Sequence, residues 1–289
     1  MTQIVVNGLL TGGVYALVAV GFSLVWGVMN VVNIAHASYI MLGAYISYWL
    51  FHLYGWDPFL SIPVSMAALF VLGYLVASVV LNRVIRYGLV MTLVLTFGVD
   101  LILQNAALIL WSADYRSITP SYAGASLAVG GVMIPYVRFA VFLLALVLVV
   151  LFSLFLSKTR TGNAIQATAL NPFAAQLTGV RIDRIYALTY AIGAALAAAA
   201  GSMISVIYTI QPQVGNVFLT RAFVITVLGG LGSIPGALLG GVLLGLAESF
   251  ATVTVGIGWS QAVSFGLLVL ILVVRPQGLL GRRFFGGVG

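Results

Sequence analysis

The first 56 residues contain no Asp, Glu, Lys or Arg. A water-soluble fold cannot leave so long a stretch without charge, because it has to solvate its own surface. A bilayer demands the opposite, with roughly 20 consecutive apolar residues per helical crossing. The rest of the chain follows suit. Charged residues make up 6% of the 289 and hydrophobic ones 62%, against about 25% charged in an ordinary soluble domain. The apolar runs are continuous rather than alternating, which selects helices over a β-barrel.

Apolar runs can be drawn at about 4–27, 37–54, 60–81, 89–111, 137–157, 184–209, 218–231, 235–255 and 259–274. They predict an all-α, polytopic transmembrane bundle of eight or nine spans, some short or broken, forming one domain over 1–289. The run at 218–231 is short, and the piece from Val28 to Ala37 interrupts one long apolar stretch. Orientation comes from basic loops, since Lys and Arg accumulate on the cytoplasmic side. Arg83 and Arg86 share one loop, Lys158, Arg160, Arg181 and Arg184 another, and Arg275, Arg282 and Arg283 the end. Alternating crossings place all nine on one side. The C-terminus is then cytoplasmic, and the N-terminus external if every run crosses. The net charge of +7 is therefore topology rather than affinity for nucleic acid. Ser112–Pro135 is expected to be an external loop resting on the bundle.

Catalytic chemistry finds little support. The chain has no Cys and two His, so no multi-His or thiolate metal site is expected. A phosphate-binding loop needs glycines ahead of its Lys, yet Lys158 follows Phe155-Leu-Ser157. No cofactor is expected on this chain, and any ATP would be used by another subunit.

Three segments stand out. In the basic loop 158–183, Asn171 suits an N-cap, Pro172 the first helical position and Gly179 a left-handed stop, which predicts a short helix over Pro172–Thr178. It would present Phe173, Ala174 and Ala175 as a small, partly apolar face. Such a helix either lies on the lipid or docks a soluble partner. Second, Gly229, Gly230, Gly232 and Pro235, with Ser233 between them, break one helix and start the next. That makes either a tight hairpin or a pair of broken ends offering backbone groups to a cavity. Third, Asn30, Asn33, His36 and Ser38 form a polar cluster amid apolar runs, and such groups should find partners inside the bundle.

Charges inside the spans are few. Asp100 sits mid-run, with Gln104 and Asn105 one turn on, while Glu248 and Arg221 fall in the outer half of their runs. Because a lone charge in hydrocarbon costs about 2.5–3.5 kcal/mol or more, Glu248 and Arg221 are expected to pair or to face water. Small residues four apart, such as Gly8 and Gly12, or Gly232, Gly236 and Gly240, predict close helix contacts.

These motifs resemble a known family. Asn7-Gly-Leu-Leu-Thr-Gly-Gly-Val-Tyr-Ala-Leu17 followed by Asn33-Ile-Ala-His36 is similar to the opening of LivH-type permeases, the membrane subunits of branched-chain (hydrophobic) amino-acid ABC importers. Ile34 and Ala37 stand where that family usually has Phe and Gly. The Asn171-Pro172 loop ending at Gly179 resembles the family's cytoplasmic coupling segment. Gly229 to Gly236 resembles its Gly-rich signature, and Arg275-Pro-Gln-Gly-Leu-Leu-Gly281 its ending.

The resemblance implies a multi-pass subunit of the bacterial inner membrane, surrounded by lipid. It would work with a second related permease, two cytoplasmic ATPases and a periplasmic substrate-binding protein. It makes Ala164, Gln166, Asn171, Pro172, Phe173, Ala174, Ala175, Leu177 and Gly179 candidates for ATPase coupling. Asn30, Asn33, His36, Ser38, Gly229, Gly230, Gly232, Ser233 and Pro235 become candidates for the translocation path. The competing reading from the residues alone is an ion-coupled transporter using Asp100 or Glu248.

Overall fold

The computed structural model describes residues 1–281; Arg282 and Arg283, counted above among the basic residues, lie outside them. The elements in order are α1 (Thr2–Met29), α2 (His36–Tyr54), α3 (Ile62–Val76), a π-helical turn (Ala77–Leu81), α4 (Asn82–Val84), a 3₁₀ turn (Ile85–Tyr87), α5 (Leu89–Trp111), β1 (Ser126–Val129), β2 (Val132–Pro135), α6 (Tyr136–Lys158), α7 (Arg160–Leu170), α8 (Pro172–Leu177), α9 (Ile182–Ile204), α10 (Val214–Gly229), α11 (Ile234–Thr254) and α12 (Ser260–Val274). Among the described residues six helices are long and apolar enough to cross a membrane, counting Ile62–Tyr87 as one. α10, with 16 residues, and α12, with 15, are shorter than the roughly 20 that a perpendicular crossing needs. The chain is a multi-pass membrane protein.

The bundle is built around α1 and α9. Their apolar cores are 83% and 89% buried, whereas that of α5 is 17% buried, so α5 presents most of its surface outward. Helices that are apolar on every side belong at the centre of a bundle. α1 packs on α6, α9, α10 and α11, and α9 packs on α2 and α3. In lipid, helix association relies on close packing rather than on water exclusion, so small residues set the contacts. A Cβ on Gly12 would stand 2.9 Å from the Gly241 carbonyl oxygen, and one on Gly201 would collide with the Ile40 carbonyl oxygen. The small-residue ridges foreseen in the sequence are thus helix contacts.

The 112–135 segment is the non-helical connection between α5 and α6 that the sequence predicts. Its end folds into an antiparallel hairpin in which Leu127 pairs with Ile134. Gly130 and Gly131 have φ of 58° and 80°, and a two-residue hairpin turn with positive φ at both positions favours glycine. Gln3 clamps this hairpin, donating to the Met133 carbonyl (2.7 Å) and accepting from the Met133 amide (2.9 Å). The start of α1 therefore shares one end of the bundle with the hairpin. Another tie at that end runs from the Tyr122 hydroxyl to Asp57 Oδ2 (2.7 Å). Burial, followed by the hydrogen bond and the charge of Asp57, pushes the Tyr122 hydroxyl well above its ordinary pKa. Arg83, Arg86, Lys158, Arg160, Arg181, Arg184 and Arg275 gather at the opposite, basic end.

Candidate functional site

α1 stops at Asn30, which takes a left-handed φ of 52° and donates its amide to the Trp26 carbonyl (2.8 Å). The chain then runs without helix through 31–33, makes one turn, and restarts as α2 at His36. His36 Nε2 lies 3.1 Å from the Val18 carbonyl oxygen, near the middle of α1. The segment after Asn30 therefore climbs back inside the bundle before α2 begins.

Non-helical backbone at this depth needs protein partners, because lipid supplies none. Thr96 on α5 provides two: its Oγ1 accepts from the Ile34 amide (3.3 Å) and donates to the Val32 carbonyl (3.0 Å). The Asn33 side-chain oxygen accepts from the Tyr190 hydroxyl (2.9 Å), which accepts from Tyr39 (3.3 Å). Asn33, His36 and Ser38 are fully buried. Asn33 Nδ2 and His36 Nδ1 have no partner atom among the described residues, so the break keeps hydrogen-bonding capacity in its interior.

The next polar centre is Asp100, midway along α5. Ser38 Oγ donates to its Oδ1 (2.5 Å) and Gln104 Nε2 to its Oδ2 (2.6 Å). Gln104 Nε2 also reaches Asn216 Oδ1 on α10 (3.2 Å). No cation pairs with Asp100 among the described residues; the ion pair found there joins Arg221 to Glu248.

That second pair meets as expected. Arg221 Nε donates to Glu248 Oε1 (3.0 Å) and Oε2 (3.2 Å), Tyr15 to Oε2 (2.7 Å) and Ser264 to Oε1 (2.6 Å). The Arg221 guanidinium also stands over the Tyr15 and Phe218 rings, 5.1 and 5.7 Å from their centroids. Four helices, α1, α10, α11 and α12, are tied at one carboxylate. A network this fully satisfied binds helices together and leaves Glu248 little capacity for a ligand.

Two expectations at the helix breaks need correction. Asn30 is not part of the interior cluster: it is exposed, and it caps α1 beside a groove of about 290 Å³ shared with Ile85 and Thr92. The Gly-rich segment does not offer free carbonyls to a cavity. The Leu228 and Gly229 carbonyls at the end of α10 accept from the amides of Leu279 (2.8 Å) and Leu280 (3.0 Å). Ser233 Oγ caps α11 by accepting from the Gly236 amide (3.1 Å), and Pro235 sits in the first turn. Gly230 and Gly232, with φ of 102° and 78°, make the turn between the helices, and Gly232 lies against Gly27. Of the two readings left open, the tight hairpin holds. It packs on the last turn of α1 through Gly232 and Gly27.

The basic loop is helical nearly throughout. Thr159 caps α7 by accepting from the Gly162 amide (2.9 Å), and Asn171 caps α8 by accepting from the Ala174 amide (3.0 Å). α8 covers Pro172–Leu177, and Gly179 follows with φ 88°. Phe173 and Leu177 are 71% and 74% exposed, but Ala175 is 4% exposed. The predicted face of Phe173, Ala174 and Ala175 therefore needs correction at Ala175. Ala175 anchors α8 on the bundle, and the outward face is Phe173, Ala174 and Leu177. Ala164 is half-buried, and Gln166 holds α7 to α6 by donating to the Leu156 carbonyl (2.6 Å). Beside α8 opens a groove of about 950 Å³, lined by Phe173, Gln176, Arg181 and Arg184 on one wall and Tyr74 and Asn82 on the other.

Asn33, Ser38 and Asp100 thus come together around the start of α2, with His36 behind them against α1. Sequence reasoning missed Thr96, Tyr190, Tyr39 and Asn216 in this cluster, and Tyr15 and Ser264 at the ion pair. Hydroxyls and amides are common in apolar helices, and only the register of distant helices tells which ones converge.

Comparison with known proteins agrees with this architecture. Residues 4–272 match the family described as the branched-chain amino acid transport system / permease component. The chain is 36% identical to the high-affinity branched-chain amino acid transport system permease protein BraD of Pseudomonas aeruginosa, over 97% of this chain and 95% of that one. It is 32% identical to the corresponding protein LivH of Escherichia coli, over 96% and 94%. A more distant relative is the permease protein LivM of Salmonella typhimurium, 26% identical over 92% of this chain and 68% of its own length. No solved structure matches. A multi-pass bundle interrupted by a polar break, with end-to-end likeness to these permeases, places the chain in the family of branched-chain amino acid transport system permease components.

Proposed function

We propose that this chain is the transmembrane subunit of an ATP-driven ABC importer that moves branched-chain or other hydrophobic amino acids across the bacterial inner membrane. The observation that carries this reading is the likeness to BraD along 97% of the chain. The basic end is then cytoplasmic, as is the C-terminus, and the hairpin end is external. Separate ATPase subunits dock on the exposed residues Phe173, Ala174 and Leu177. A second permease lies against the outward face of α5, and a periplasmic binding protein delivers substrate at the hairpin end. Alternating access arises by rocking about the break at 30–35, where backbone hydrogen bonds rest on single side chains such as Thr96 rather than on a helical ladder. ATP is consumed by the partners.

Co-expression with the candidate partner subunits, purification and reconstitution test this. Leucine uptake that requires ATP inside the vesicles is the expected result. An ion-coupled transporter is the second reading, favoured by Asp100 having no cation among the described residues. It requires uptake by the chain alone and its abolition by an uncoupler.

A further inference from the structure

Gln104 Nε2 sits between two acceptor oxygens, Asp100 Oδ2 at 2.6 Å and Asn216 Oδ1 at 3.2 Å. A nitrogen donor thus already occupies a position bounded by a carboxylate and an amide oxygen. We infer that this position is the binding site for the α-ammonium group of the transported amino acid, with the Gln104 amide nitrogen standing in for it when substrate is absent. The inference rests on the importer reading above and names the substrate group that the site takes.

Three features support it. Asp100 is 3% exposed and meets no cation among the described residues, while donors from Ser38 and Gln104 converge on its two oxygens. Donors on both oxygens favour the carboxylate form, and a cation placed beside it favours that form further. An ammonium group is such a cation, and its three N–H donors fit a site of converging acceptors. Second, the cover over the carboxylate is light. Gln104 is half-buried and Asn216 exposed, so one rotamer change of Gln104 frees Oδ2 and the space beside it. Third, the site lies where a path would pass. Asp100 is midway along α5, touches α2 through Ser38 and is linked to α10 through Gln104 and Asn216, next to the break that the transport mechanism uses. Glu248 does not compete for the ammonium, because Arg221, Tyr15 and Ser264 already take both of its oxygens.

The test is Asp100→Asn in the fully assembled, reconstituted complex, read as kcat/KM for leucine uptake and as melting temperature of the purified complex. Asn keeps the acceptor for Ser38, and its amide can donate to the Gln104 oxygen once the amides of Gln104 and of the exposed Asn216 both flip. The hydrogen bonds survive and the charge goes. The expected result is a wild-type melting temperature with kcat/KM lowered about 10- to 100-fold, the effect of losing one charged hydrogen bond. Wild-type kcat/KM in D100N overturns the inference. So does a loss confined to yield and melting temperature, with unchanged uptake per assembled complex. If D100N does not assemble, Asn216→Leu decides at an exposed position: lowered kcat/KM with normal assembly supports the site, and wild-type uptake overturns it. A wild-type complex that takes up no hydrophobic amino acid under ATP overturns the importer reading itself, and this inference with it.

Discussion

Arg221 Nε lies 3.0 Å from Glu248 Oε1, joining α10 to α11 inside the bundle. Tyr15 and Ser264 donate to the same carboxylate. Removing one charge of a buried pair strands the other, which typically costs about 3–5 kcal/mol. Glu248→Ala is therefore expected to lower the stability of the purified complex by that order. Arg221→Met combined with Glu248→Leu should cost less than the two single changes added together. Denaturant titration of the single and double variants checks this, and strict additivity would show that the pair contributes nothing.

Thr96 is the one side chain that serves both the Ile34 amide and the Val32 carbonyl in the break. Thr96→Val keeps the shape and removes the hydroxyl. A buried group left unpaired costs about 1–3 kcal/mol, so the variant should be destabilised by that amount and Thr96→Ser should be close to wild type. Hydrogen exchange of the 31–35 amides reports it directly. Unchanged protection in T96V would mean that the break is held by other contacts.

Close helix contacts set a sharp contrast between two glycines. A Cβ on Gly201 meets the Ile40 carbonyl oxygen, whereas one on Gly98 meets nothing within 4 Å. Gly201→Val should prevent α2 and α9 from packing and abolish recovery of folded protein. Gly98→Ala, at a helical position in α5, should stabilise by up to about 1 kcal/mol through helix propensity. Recovery after detergent extraction and melting temperature separate the two outcomes.

At the basic end, Ala174 is exposed and its neighbour Ala175 is buried. Ala174→Glu is expected to leave the bundle intact and to break the link between ATP hydrolysis and uptake. Ala175→Glu places a charge under α8 and should unseat the helix, seen as faster proteolysis within 159–181. Wild-type coupling in A174E would remove α8 from the docking surface.

The tie from Tyr122 to Asp57 has a defined pH dependence. The Tyr122 hydroxyl is shifted upward by burial and by Asp57, so the folded state favours its protonated form. Its contribution is fully present below the ordinary tyrosine value of about 10, and it is lost as pH rises above that toward the shifted value. Tyr122→Phe should therefore lower stability by a constant amount from pH 6 to about pH 9, with the difference shrinking at higher alkalinity. A difference that already shrinks near neutrality would contradict the upward shift.

Much of this molecule was legible in the chain itself. The helices follow the apolar runs within a few residues, because length and apolarity are properties of a segment rather than of its neighbours. The ends of α8 could be read from Asn171, Pro172 and Gly179, since caps and stops act on the nearest backbone groups. What the chain left open depended on distance in space. Whether Gly229 and Gly230 line a cavity was decided by Leu279 and Leu280 returning to take the end of α10. Whether Ala175 faces a partner was decided by where α8 lies on the bundle. The hairpin at 126–135 gave no apolar signal above its surroundings. The site at Asp100 needed Ser38 from α2 and Gln104 from α5 on its two oxygens, and Asn216 from α10 against Gln104. Local propensity and hydropathy act along a few residues, so the sequence alone determined the apolar helices, the ends of α8 and the membrane class. Which polar side chains meet depends on helix register and tilt, set by close contacts such as Gly201 on Ile40, and only the tertiary structure decides those.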